Sequence, residues 1–133
     1  MNDRHANHEG MVRRAEQAQK AISSLTAGRS KLAGIARALS SVLDEAHERM
    51  NMAWAVLNEP YFEGPKHYTY RAQKSAELGI CYAAIHGAYD ELCRLNVINK
   101  VDRTEPTLYE LAIIRKGEER AVRTGRRRTT VNA

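Results

Sequence analysis

A cluster of arginines near the C-terminal end is the part of this sequence best suited to a chemical role, the binding of phosphate. Residues 114–133 contain seven basic side chains and two carboxylates, which equals the whole formal net charge of +5. The seven are Arg115, Lys116, Arg120, Arg123, Arg126, Arg127 and Arg128. A guanidinium stays charged at any relevant pH and can donate to two phosphate oxygens at once. A balanced body with a basic end predicts a polyanionic partner, and nucleic acid, DNA or RNA, is the commonest.

The cluster offers no geometry for reading bases, so the predicted binding is weakly sequence-selective and falls steeply with salt. Two alternatives stay open for the same residues: docking on an acidic protein surface, and a tail that only aids solubility. A second basic patch, Lys66, Arg71 and Lys74, is interleaved with tyrosines. Such a pattern can stack bases while it neutralises phosphates. A solvated first turn of a helix explains these residues equally simply.

Candidate catalytic and metal-binding residues are sparse. Asp44 and His47 have the i, i+3 spacing by which helical bundles hold paired metal ions, but no second such pair follows. A surface ion pair, for instance Glu45 with Arg49 at i, i+4, is the simpler interpretation of these acids. His86 beside an apolar stripe is typical of a hydrogen-bonded core histidine. We therefore predict no metal, no cofactor, no catalytic residue and no enzymatic activity.

A heptad pattern of apolar residues runs from Met11 to Leu57, in steps that alternate between three and four. This pattern predicts long helical structure packed in the coiled-coil manner. The larger members of the seam are Ile22, Leu25, Leu32, Leu39, Leu43, Met50 and Leu57. Gly28 and Ser30 offer a helix stop followed by an N-cap. The unbroken heptad phase nevertheless favours one continuous helix over 11–57, and a break at Gly28 is the alternative.

Prolines and glycines in 58–65 predict a loop that ends this helix and begins another. The second helix is expected over about 65–95, antiparallel to the first because the connection is short. Its stripe is Leu78, Cys81, Ile85, Ala88, Leu92 and Leu95. Thr107 and Glu110 have the spacing of a capping box, so a third helix begins there and is expected to fray after Gly117. The predicted fold class is all-α: a long antiparallel helical hairpin, a shorter third helix and a basic C-terminal arm.

The predicted organisation is a flexible N-terminus over 1–10, a helical bundle domain over 11–123 and the arm over 124–133. The second helix is too short to cover 11–27, and an exposed apolar face of that length predicts a homo-oligomer. The sequence has no apolar run that could span a bilayer and no apolar leader. These absences predict no membrane partner and a location in the cytoplasm or within a virion.

Together these features predict a non-enzymatic, weakly sequence-selective nucleic-acid-binding protein that self-associates. Small size, basicity and the lack of a catalytic constellation are typical of a phage or mobile-element accessory factor. The alternative is a structural or assembly subunit, in a virion or a protein complex, whose basic arm docks on a neighbouring subunit or an acidic partner.

Overall fold

Four helices make up the computed structural model, which describes residues 3–25 and 30–123, with side chains from Asn7 onward. They are α1 (Asp3–Ser23), α2 (Lys31–Leu57), α3 (Tyr68–Arg94) and α4 (Leu108–Arg123). Single 3-10 turns lie at Pro60–Phe62, Pro65–His67 and Lys100–Asp102. The described residues contain no strand, and the all-α prediction is confirmed. None of the described helices combines the length and apolar character that a bilayer crossing needs.

The prediction of one continuous helix over 11–57 is wrong, because α1 folds back along α2. Gln19 donates to Asp44 Oδ1 at 3.0 Å, and His47 Nδ1 lies 3.2 Å from Gln19 Oε1. In a single helix, residues 19 and 44 would be about 37 Å apart. Ser30 is the N-cap of α2 and accepts from the backbone N–H of Ala33. The heptad register of each helix depends on the residues that it packs against. The registers of α1 and α2 can therefore match although the two are separate helices.

The heptad seam is buried within the chain. Met11, Ala15, Ala18 and Ile22 on α1 are at most 2% exposed. Of the larger seam residues, Leu39, Leu43 and Met50 are also fully buried, while Leu25, Leu32 and Leu57 are half-buried. This burial removes the uncovered face on which the oligomer prediction depended, so self-association stays a prediction without that support.

Helix α3 is the centre of the bundle and packs against the other three helices. Its predicted stripe is buried from Leu78 to Leu92, and Leu95 is half-buried. Arg49 on α2 pairs with Glu77 on α3, and Arg71 on α3 donates to the carbonyl of Leu57 at the end of α2. This order of contacts makes α2 and α3 antiparallel, as predicted.

Helix α1 begins at Asp3, within the segment assigned from sequence to a flexible N-terminus. Asn7 and His8 are 5% and 8% exposed, so this end of α1 belongs to the bundle. The His8 ring stacks on Trp54 at 4.3 Å, and its Nδ1 lies 3.2 Å from the hydroxyl of Tyr82. The sequence of 1–10 did not predict this burial, because it is polar and the residues that contact His8 lie on other helices.

Helix α3 ends in a Schellman motif, which turns the chain back toward α1. Asn96 has a φ of 61°, and the N–H groups of Asn96 and Val97 donate to the carbonyls of Cys93 and Leu92. Asparagine suits this left-handed position better than most residues. The motif sets the course of residues 97–107, which lead to the first turn of α4.

The capping box of α4 is confirmed and is part of a larger buried cluster. Thr107 N–H donates to Glu110 Oε1 at 3.0 Å, and Glu110 N–H donates to Thr107 Oγ1 at 3.1 Å. Arg14, 1% exposed, donates to both carboxylate oxygens of Glu110 at 2.9 and 3.3 Å, and to the carbonyl of Thr104. Burial tends to raise the pKa of Glu110, but hydrogen bonds from Arg14 and Thr107 outweigh it and lower that pKa. This ion pair fastens the start of α4 to α1.

Candidate nucleic-acid interface

The predicted phosphate-binding residues fall in two groups. Arg115, Lys116, Arg120 and Arg123 lie on α4, which continues six residues past Gly117 to Arg123, so the prediction that it frays after Gly117 is wrong. Arg126, Arg127 and Arg128, with the rest of the arm over 124–133, lie outside the described residues. Arg120 and Arg123 occupy the last turn of α4, where positive charge also stabilises the helix dipole.

Gly117 is where α4 comes closest to α3. A Cβ placed on Gly117 would lie 1.8 Å from the carbonyl oxygen of Gly79 and 2.4 Å from its carbonyl carbon. Only glycine permits this approach of two backbones. Helix α4 continues past this contact, and Lys116 and Arg120 lie on either side of it along the chain.

A groove of about 1160 Å³ runs along this surface. Its α3 side includes Tyr68, Arg71, Ser75, Gly79 and Tyr82, at helical spacing along one face. Its α4 side is formed by residues at steps of four and three: Tyr109, Ile113, Lys116 and Arg120. The remaining side comes from Asn7 on α1, from Trp54, Leu57 and Asn58 at the end of α2, and from the turn at Gly64 and Pro65.

The groove is cationic. Three of its lining side chains are basic, Arg71, Lys116 and Arg120, and no aspartate or glutamate lines it among residues 3–25 and 30–123. Two hydrogen-bond donors on its walls, Asn7 Nδ2 and Arg71 Nη1, are buried and have no acceptor among the residues that the structure describes. A buried donor without an acceptor costs free energy, and an incoming acceptor would recover it. The groove is therefore suited to an anion with several oxygen atoms.

The second predicted basic patch is divided by the structure. Arg71 enters the groove and also donates to the carbonyl of Leu57 at 3.0 Å. Lys74 instead pairs with Glu77 at 3.5 Å and lies 5.6 Å from the centre of the Tyr70 ring. Lys66 is exposed in the 3-10 turn before α3. Only Arg71 of this patch joins the cations of α4.

The side chains considered for a metal or catalytic site, and Glu77 on α3, take part in contacts within and between helices. Asp44 and His47 both contact Gln19, and Glu45 lies 3.5 Å from Arg49. Glu77 binds Arg49 at 2.9 Å; burial opposes the ionised form of Glu77, but the Arg49 hydrogen bond prevails and lowers its pKa. Within the described ranges, no group of three or more histidine, cysteine, aspartate or glutamate side chains could hold a metal ion.

Sequence reasoning missed most of the groove, since Asn7, Trp54 and Tyr109 were not candidates. A partial signal existed on α4, where Tyr109, Ile113, Lys116 and Arg120 share one helical face. The contributions of α1 and α2 depend on tertiary packing and had no local signal.

No family model, curated protein or solved structure matches this chain.

Proposed function

We propose that this protein binds nucleic acid through the cationic surface of α4 and the basic residues that follow it, with weak sequence selectivity and without making or breaking a covalent bond. The observation that carries the proposal is the availability of the α4 cations. Arg115, Lys116 and Arg123 are exposed, and across 3–25 and 30–123 no ion pair joins any of them to a carboxylate.

Other cations of the bundle are used differently. Arg14, Arg49, Arg94 and Arg103 each form an ion pair with a carboxylate of the bundle at 3.5 Å or less. The contrast supports a division between structural arginines in the body and three cations of α4, Arg115, Lys116 and Arg123, that can bind an external anion. Phosphates that bind these cations would release condensed counterions, which is the main driving force for non-specific binding.

The test is a salt titration of binding to labelled duplex DNA, single-stranded DNA and RNA. We expect affinity to fall linearly on a double-logarithmic plot against salt. Deletion of 124–133 removes three arginines and should flatten the duplex slope by up to about 2.7. Replacing Arg115, Lys116 and Arg123 by glutamate should weaken binding further.

A matched control separates a local interface from net charge. Arg13, Lys20 and Lys31 are exposed on α1 and α2, and their replacement by glutamate changes the net charge by the same amount. We expect the α4 triple variant to lose much more affinity than this control. Equal losses would assign the binding to overall charge, and no binding of any nucleic acid at low salt would favour the assembly-subunit alternative.

A further inference from the structure

We propose that the groove between α3, α4 and the end of α2 binds a short single-stranded segment of nucleic acid, with phosphates on Arg71, Lys116 and Arg120 and unpaired bases against the aromatic rings. This inference rests on the proposed function and deepens it, because it assigns a site and a strand form that the cationic helix alone does not require.

The polar atoms of the groove match a phosphate backbone. The three cations lie along two helices that face the same space, and no aspartate or glutamate is among the described residues that line it. Asn7 on α1 is 5% exposed, and its Nδ2, which has no acceptor among the described residues, adds a neutral donor to the lining. An anion with several oxygen atoms can accept hydrogen bonds from these cations and from Asn7 at the same time.

The aromatic residues favour a nucleic acid over another polyanion. Tyr68 is 76% exposed and Tyr109 is 54% exposed, and both line the groove with Trp54. Exposed rings next to cations are typical of surfaces that stack the bases of single strands. An acidic peptide would use the cations but would offer no base to stack on the exposed rings of Tyr68 and Tyr109.

The groove favours a single strand over a duplex because a single strand exposes the faces of its bases. In a duplex the base faces are stacked on one another, so only unpaired bases can offer a face to Tyr68 or Tyr109. The volume, about 1160 Å³, is also larger than the roughly 300–1,000 Å³ of most small-molecule sites. The size is consistent with several linked nucleotides rather than one free nucleotide.

Trp54 provides a direct reporter of occupancy because it is the only tryptophan in the chain and it lines the groove. The experiment follows Trp54 fluorescence of the full-length protein during addition of an oligothymidine strand, a blunt-ended duplex of equal charge without a loop, or a polyglutamate peptide. We expect the single strand to change the fluorescence at low concentration, the duplex to bind with little change, and the peptide to compete poorly.

Two matched pairs of variants locate the effect. Lys116→Glu and Arg115→Glu alter neighbouring residues of α4 by the same charge, but only Lys116 lines the groove. Tyr68→Ala and Tyr61→Ala each remove a tyrosine that is at least 70% exposed, but only Tyr68 lines the groove. We expect Lys116→Glu and Tyr68→Ala each to weaken single-strand binding at least about fivefold more than its control.

The outcomes distinguish this inference from the proposed function. Salt-dependent binding with unchanged Trp54 fluorescence and equal effects within each pair would overturn the groove site and leave the proposed function standing. No binding of any nucleic acid at low salt would overturn both. Polyglutamate that competes as well as the strand would overturn the assignment in favour of an acidic peptide.

Discussion

The contact between Gly79 and Gly117 predicts opposite effects for two chemically identical substitutions. Gly117→Ala places a Cβ 1.8 Å from the carbonyl oxygen of Gly79, whereas real Cβ atoms essentially never come within 3.0 Å of another atom. The two helices must therefore separate by at least 1.2 Å at this point. In Gly79→Ala the new Cβ would meet its nearest neighbour, the Cα of Gly117, at 3.6 Å, which is ordinary contact.

The free energies follow from this geometry. Either alanine should gain up to about 1 kcal/mol of helix propensity over glycine. In Gly117→Ala the new methyl group also clashes with the backbone of Gly79, which cannot move aside as a side chain could. Such overpacking costs about 1–3 kcal/mol or more. We expect Gly79→Ala to be neutral or to stabilise by up to about 1 kcal/mol, and Gly117→Ala to destabilise by about 1–3 kcal/mol.

Urea denaturation followed by circular dichroism measures both changes, provided that the slope m is unchanged between variants. The reasoning would be refuted by equal midpoints for the two variants, or by a more stable Gly117→Ala protein. Displacement of α4 should also weaken single-strand binding in Gly117→Ala, because Lys116 and Arg120 lie on either side of the contact.

Two further predictions concern the buried pair of Arg14 and Glu110. Arg14→Met leaves a buried carboxylate without its cation and should destabilise the protein by about 3–5 kcal/mol. Adding Glu110→Gln to this variant should recover part of the loss, because the unpaired charge is then removed. A double variant no more stable than Arg14→Met would contradict the role of charge. The folded-state pKa of Glu110 lies below its ordinary value of 4.5, so its ionised form contributes stability above that pH, and this contribution is lost as pH falls through the lowered pKa. Urea midpoints at about pH 7 and about pH 3 should therefore show the advantage of the wild-type protein over Glu110→Gln shrinking in acid, and a constant difference would show that ionisation does not matter.

Local patterns in the sequence predicted the class of fold and several of its boundaries. The heptad stripes identified many of the apolar residues buried in α1, α2 and α3, and the Thr107–Glu110 spacing identified the start of α4. Both depend on side chains within a few positions of each other. The break between α1 and α2 was missed because apolar spacing reports which face is buried and not which partner covers it.

Gly117 shows why other features were out of reach. From sequence alone, a glycine inside a helix is expected to destabilise that helix, since it costs about 1 kcal/mol relative to alanine. Here the missing side chain lets two helices touch, and that gain depends on Gly79, a residue far away along the chain. The groove was missed for the same reason, because its walls come from all four helices. The cations of α4 were predicted because their charge alone marks them.

The groove draws Asn7 from the first helix and Lys116 and Arg120 from the last. A ribosome that has made only the first three helices has therefore made a chain without this binding surface. The groove is complete only when α4 has docked on α3. On the inference drawn above, a chain that lacks α4 should not bind single strands through the groove.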